Sequence, residues 1–148
     1  MFVCAIGNAR IRLAICEQLK LHGAQFINLI HPTACICADA SLGQGIIVMP
    51  NVCVSTNTLI EDYTVLNIAT TIGHDARLGR SCVINPHSVV TGNVQLGQGV
   101  LMGSHATIVP GKKVGDFAII GAGSTVVRAV KAHQTVFGVP AKVITGNE

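Results

Sequence analysis

His74 and its neighbour Asp75 in the stretch IGHDAR, together with Gly92 in TGNVQ, have the types and spacing to move a proton and stabilise a negative charge. An imidazole changes charge near neutral pH, and an adjacent carboxylate fixes its tautomer, so the pair has the ingredients of a general base. The N–H of a glycine, unshielded by a side chain, can donate to an oxyanion formed close to that base. An isolated His-Asp dipeptide is also an ordinary solvated turn. The chemical reading therefore depends on elements that would stack residue 92 on residue 74.

A repeat supplies them. An aliphatic residue stands at every sixth position from Ile30 through Ile72, Leu78, Ile84, Val90 and Leu96 to Val126, all 17 sites complying. With about half of all residues apolar, an unbroken run of that length arises by chance less than about once in 10⁵. Four residues after most of these aliphatics comes a small or β-branched residue, such as Ala76, Cys82, Ser88 or Val130, with Ile46 and Lys112 as exceptions. One long and one short inward position per six residues fits a narrow solenoid of short parallel strands joined by tight corners. The related stretches LGQG, LGRS, LGQG and VGDF starting at 42, 78, 96 and 114 fall at multiples of 18, which makes one coil of three hexads and assigns their glycines to tight corners. At that period His74 lies one rung below Gly92 and points outward, and Asn57, Asp75 and Asn93 form a ladder. The expected fold class is mainly β, a parallel β-helix with a short N-terminal β-α-β segment.

The boundaries follow the repeat. Residues 1–29 read as a partial α/β segment: an apolar strand FVCAI, a helix capped by Asn8 and running to Leu21 with Ile11, Ile15 and Leu19 along one face, Gly23 as its stop, and a strand over Gln25–Ile30. Residues 30–131 are the solenoid, and 132–148, with Phe137 and Pro140, a covering segment for its end. With 148 residues, 49% of them apolar, disorder is excluded. No apolar run approaches the roughly 18 residues that span a bilayer, and MFVCAIGN has neither a basic n-region nor a cleavage site, which leads to the expectation of a cytoplasmic protein with no membrane insertion.

The net charge of +3 is too small to argue for nucleic acid, but its distribution is uneven. Residues 1–109 are balanced, whereas Lys112, Lys113, Arg128, Lys131 and Lys142 face only Asp116 and Glu148, a local pull on a small anion. The six cysteines lack CxxC pairs and read as small hydrophobes, Cys82 at an inward position among them. His87 and His105 stack at the coil period without a third ligand, His22 sits at a helix end, and His31 and His133 stand at the two ends of the solenoid, so no metal is expected.

The stretches FVCAIGNARIR, INLIHPTA, LNIATTIGHDARLG, TGNVQLGQGV, IIGAGSTVV and GVPAKVI resemble, over nearly the whole chain, the hexapeptide-repeat acyltransferases, and most closely the NeuD/PglD group of sugar O- and N-acetyltransferases. The resemblance implies a left-handed β-helix and a cytoplasmic homotrimer with active sites between subunits. Acetyl-CoA would serve as co-substrate, and a small amino-sugar, nucleotide-sugar or sialic-acid-like molecule as acceptor. It assigns His74 as general base, Asp75 as the acid that orients it, and Gly92 as the amide facing the thioester carbonyl. Asn67 would lie near the acceptor, and Ser104, Ala122, Gly138, Val139, Pro140, Ala141 and Lys142 along the cofactor.

This sequence departs from the group in three places. Its resemblance starts part-way into the α/β domain with which members begin, so the strand and glycine-rich loop that hold the nucleotide have no counterpart here. Val83 stands where many members carry a second histidine, and His87 replaces the glycine of a common PGA turn. These departures carry the alternative reading of a non-catalytic trimeric scaffold, against which the retained His74, Asp75, Asn67, Gly92 and GVPAK count. A metal-dependent hydratase on the same solenoid wants two histidines five apart, a spacing none of the six histidines has.

Overall fold

Two-residue strands are all that a six-residue repeat leaves once each corner has taken four residues. In the computed structural model, which describes residues 1–146, every strand from Leu29–Ile30 to Thr125–Val126 has that length. The strands stack into three parallel sheets, the faces of a left-handed parallel β-helix. The first face begins at Leu29–Ile30, the second at Cys35–Ile36 and the third at Ser41–Leu42. Neighbours within a face are 18 residues apart, as in Val83 with Leu101 and Val90 with Ile108. The corners between the first and second, second and third, and third and first faces are called here the first, second and third corners.

One long and one short side chain per hexad fill the prism. Ile60, Leu66, Ile72, Ile84, Val90 and Met102 are fully buried, as are Ala76, Cys82, Ser88 and Val94. Among the described residues only the opening coil is loose: Ile30 is exposed, and Ile36 and Leu42 are half-buried. Backbone groups pair from rung to rung, for example Val83 N–H to Val100 O at 2.9 Å, which is how a strand of two residues satisfies its polar atoms. From Gly45 to Gly123 the third residue of each corner adopts positive φ, as in Asn57 (52°), Asp75 (59°), His87 (60°) and Asn93 (60°). That conformation suits Asn, Asp and Gly, and the coil imposes it on Tyr63 and Phe117 as well.

The N-terminal segment lies against the third corner. The helix runs over Ala9–Leu21, and the Asn8 side chain accepts from the N–H groups of Arg10 and Ile11. Its expected apolar stripe does not face the solenoid: Ile11, Ile15 and Leu19 are exposed, and Ala9, Arg12 and Cys16 are the buried positions. The reason is Arg12, whose guanidinium donates to the carbonyls of Ile6, Tyr63, Ser81 and Cys82 and so fixes the helix's rotation. The two flanking strands reduce to a single bridge between Phe2 and Phe26 plus the pair Leu29–Ile30, where the solenoid starts.

One further expectation is corrected. Val130 is inward and buried, as expected, but in a shifted register: it pairs with Val114, 16 residues earlier, and Ile119–Ile120 pairs with Thr135–Val136 at the same interval. The closing coil is two residues short, so the hexad ends before Lys131. The glycines at 43, 79, 97 and 115 open the third corner, as expected, and the requirement there is close approach rather than positive φ. Gly79 is not in the left-handed region; a β-carbon there would stand 2.7 Å from Gln98 N, so the next coil requires its absence. Strands Gln134–Phe137 and Lys142–Gly146 pair antiparallel over the end of the prism. Among the described residues no helix is long and apolar enough to cross a membrane.

Candidate active site

The second corner carries His74 as its second residue and Asp75 as its third. Positive φ at Asp75 turns its carboxylate back toward the preceding side chain. His74 Nδ1 and Asp75 Oδ2 are 2.7 Å apart, and Asn57, one coil below, donates its amide to the other carboxylate oxygen. These two hydrogen bonds, His74's first, hold the Asp75 carboxyl below the usual carboxylate range. An ionised carboxylate only accepts, so Nδ1 carries the proton and Nε2 presents a lone pair. The ring is half-exposed and open to a ligand.

Nε2 points at the next coil. A β-carbon on residue 92 would stand 2.5 Å from His74 Nε2 and 2.7 Å from Cε1, so only glycine leaves room for the ring. Asn93 N–H donates to His74 O at 2.8 Å and locks the two corners in register. Among the described residues the Gly92 N–H has no acceptor, because the second residue of a corner points its amide outward. A base with a fixed tautomer and an unspent backbone donor thus lie side by side, which suits attack on a carbonyl with development of an oxyanion.

The other sequence-assigned residues collect along the first corner. Asn67 donates to Asn85 Oδ1 at 3.2 Å. It borders a cavity of about 380 Å³ between the N-terminal residues Ala5 and Gly7 and the outer row Ile47, Val65, Val83 and Leu101. Val83 is part of that apolar floor. Ser104 and Ala122 follow one and two coils beyond Asn85, their N–H groups also without acceptors among the described residues. Residues 138–142 dock on the same corner: Gly138 N–H donates to Ser124 Oγ at 3.0 Å and Ala141 N–H to Thr125 O at 2.8 Å. Arg128, Gln134 and Lys142 line a cavity of about 250 Å³ at this end, and among the described residues neither basic side chain pairs with a carboxylate.

One chain therefore brings His74, Asp75 and Gly92 together and places Asn67, Ser104, Ala122 and Gly138–Lys142 on a different edge, across the whole second face. Cys82 is buried, and burial pushes its thiol up to about 12, so it offers no nucleophile. Among the described residues no group of three metal-ligating side chains occurs. His87 and His105 stack with ring centroids 4.9 Å apart on the first corner. Asn85, the partner of Asn67, was missed in the sequence; its position 18 residues after Asn67 was the available signal.

No family model matches the chain. Among curated proteins it is 36% identical over 78 residues to GDP-perosamine N-acetyltransferase of Escherichia coli O157:H7, covering 53% of this chain and 35% of that protein's length. The chain thus spans about a third of that curated relative. It superposes with a TM-score of 0.95 on PerB from Caulobacter crescentus, solved in complex with CoA and GDP-perosamine, at 34% identity over 97% of this chain and 69% of that one. With the acetyltransferase domain of PglB from Neisseria gonorrhoeae FA1090, solved in complex with acetyl coenzyme A, the TM-score is 0.92, at 32% identity over 96% and 69% of the two chains. With its register, its second-corner histidine and these relatives taken together, the chain belongs to the hexapeptide-repeat, left-handed β-helix acyltransferases, in the NeuD/PglD-type group of sugar acetyltransferases.

Proposed function

We propose that this chain transfers an acetyl group from acetyl-CoA to an amine or hydroxyl of a sugar-like acceptor. The observation that carries the reading is the His74 ring, tautomer fixed by Asp75, lying against the free N–H of Gly92. His74 Nε2 takes the proton of the acceptor's nitrogen or oxygen as that atom attacks the thioester carbonyl. The carbonyl oxygen, now negative, accepts from Gly92 N–H, and Asp75 stabilises the imidazolium. Collapse of the tetrahedral species breaks the C–S bond, and His74 returns the proton to the departing thiolate. No acyl-enzyme is needed.

The free amides of Ser104 and Ala122 suit the carbonyls of a pantetheine arm running along the first corner. Arg128 and Lys142 at its end suit the phosphates of coenzyme A, consistent with the basic C-terminal third. Asn67, beside an apolar cavity, suits a sugar acceptor. Because one chain holds the base and these residues on separate edges, the complete site requires a neighbouring copy whose first corner meets this chain's second corner. A closed ring of three such heterologous contacts is the homotrimer of the proposal. The names of the relatives favour an amine as the accepting group.

Calorimetric titration of acetyl-CoA into the purified chain tests the reading. Saturable micromolar binding at one site per chain, followed by acetylation of a 4-amino sugar nucleotide, is the expected result. A folded trimer that binds no acetyl-CoA overturns it and leaves a non-catalytic scaffold.

A further inference from the structure

The outer row of the second face begins with two cysteines. Cys35 and Cys53 are partners in the parallel register, both exposed, and their N–H groups donate to Val52 O at 2.8 Å and Thr70 O at 2.9 Å. Partners in parallel register project to the same side of a sheet. Adjacent strands lie about 4.8 Å apart, inside the Cα separation of about 4.4–6.8 Å that a disulfide bridges, and the two β-carbons, at about that same spacing, must close by a few tenths of an ångström to the roughly 3.5–4.5 Å the bond needs. We propose that Cys35 and Cys53 form a dithiol site for small-molecule disulfides, which convert it to an intrachain disulfide.

The chemistry balances as thiol–disulfide exchange. The thiolate of one cysteine attacks a sulfur of the small disulfide RSSR, forming a protein–SR mixed disulfide and releasing one RS⁻. The second cysteine's thiolate attacks the protein sulfur and displaces the other RS⁻. The protein loses two electrons, RSSR gains them, and the two thiol protons end on two RSH. The remaining four cysteines are placed differently, Cys4 being half-buried beside Cys16 under the helix. Cys37 has Ser55 as its neighbour in the next coil. Burial pushes the thiols of Cys16 and Cys82 up to about 12, which suppresses the thiolate that must attack.

The position gives the bond a consequence. Cys35 belongs to the opening coil, which among the described residues pairs with a coil on one side only, with Ile30 exposed and Ile36 and Leu42 half-buried. A terminal repeat of a solenoid opens first. A bond to Cys53 ties that coil to the next and guards the open end.

The test uses the whole chain, treated under native conditions with oxidised glutathione, and is independent of any acyl transfer. Intact mass is expected to fall by two hydrogens, peptide mapping to join Cys35 to Cys53, and amide exchange at Cys35 and Cys37 to slow by about tenfold. C53S is expected to take up one glutathione at Cys35 instead, and C37S to oxidise as the unmodified chain does. A bridge between Cys4 and Cys16, a bridge between chains, or glutathione adducts on the unmodified chain with no loss of two hydrogens each overturn the proposal.

Discussion

The His74 imidazole occupies the space that a side chain on Gly92 would fill, with Nε2 2.5 Å from the position of a β-carbon there. The base and the amide beside it are therefore a single geometric unit, and each residue identity constrains the other. Gly92 is not in the left-handed region, so alanine fits the backbone and only the ring objects. G92A is expected to displace His74 and lower kcat by roughly 10²-fold or more, with Tm within a few degrees of the unmodified chain. Acetyl transfer and thermal melts on the same preparation measure both.

H74A removes the base and leaves the first corner intact. Its kcat is expected to fall by roughly 10²–10⁴ while the calorimetric Kd for acetyl-CoA stays nearly unchanged. Activity within threefold of the unmodified chain contradicts His74 as the base.

Asp75 links the site to pH. Its carboxyl is held low in the fold by bonds from His74 and Asn57, so its contribution to stability is present above the unfolded-state value of about 4 and is lost as pH falls through the lower folded-state value. D75N is expected to melt below the unmodified chain at pH 7, and the gap is expected to close under acid conditions. Melting curves from pH 7 to pH 2.5 follow it, and a gap that widens toward acid contradicts the assignment.

Arg12 is 1% exposed and serves four carbonyls, with no carboxylate partner among the described residues. R12A would leave the buried carbonyls of Tyr63 and Ser81 unpaired, while Cys82 O keeps the Val65 N–H, a loss of about 2 kcal/mol or more. Urea denaturation is expected to show it, together with faster exchange of the helix amides. R12K is expected to recover only part of the loss, since one ammonium cannot span the same four oxygens.

The sequence by itself determined the solenoid. A long aliphatic every six residues with a short residue four later has one way to bury both, and a coil of 18 places His74 under Gly92 before any coordinates are known. The pattern is local and strictly repeated, so each rung reports the same packing constraint. The helix limits were equally legible, through Asn8 as its cap and Gly23 beyond its end. Tertiary structure alone decided what depends on contacts between distant segments. Arg12 turned the helix so that Ile11, Ile15 and Leu19 face outward, because three solenoid carbonyls and that of Ile6 outweigh an apolar stripe that no described residue covers. The closing coil lost two residues where the hairpin packs over the end of the prism. The separation of Asn67 and Ser104 from His74 by a whole face is also a tertiary fact: a linear spacing of seven residues between Asn67 and His74 spans one corner to the next in a triangular coil, which places the two on different edges rather than in one pocket.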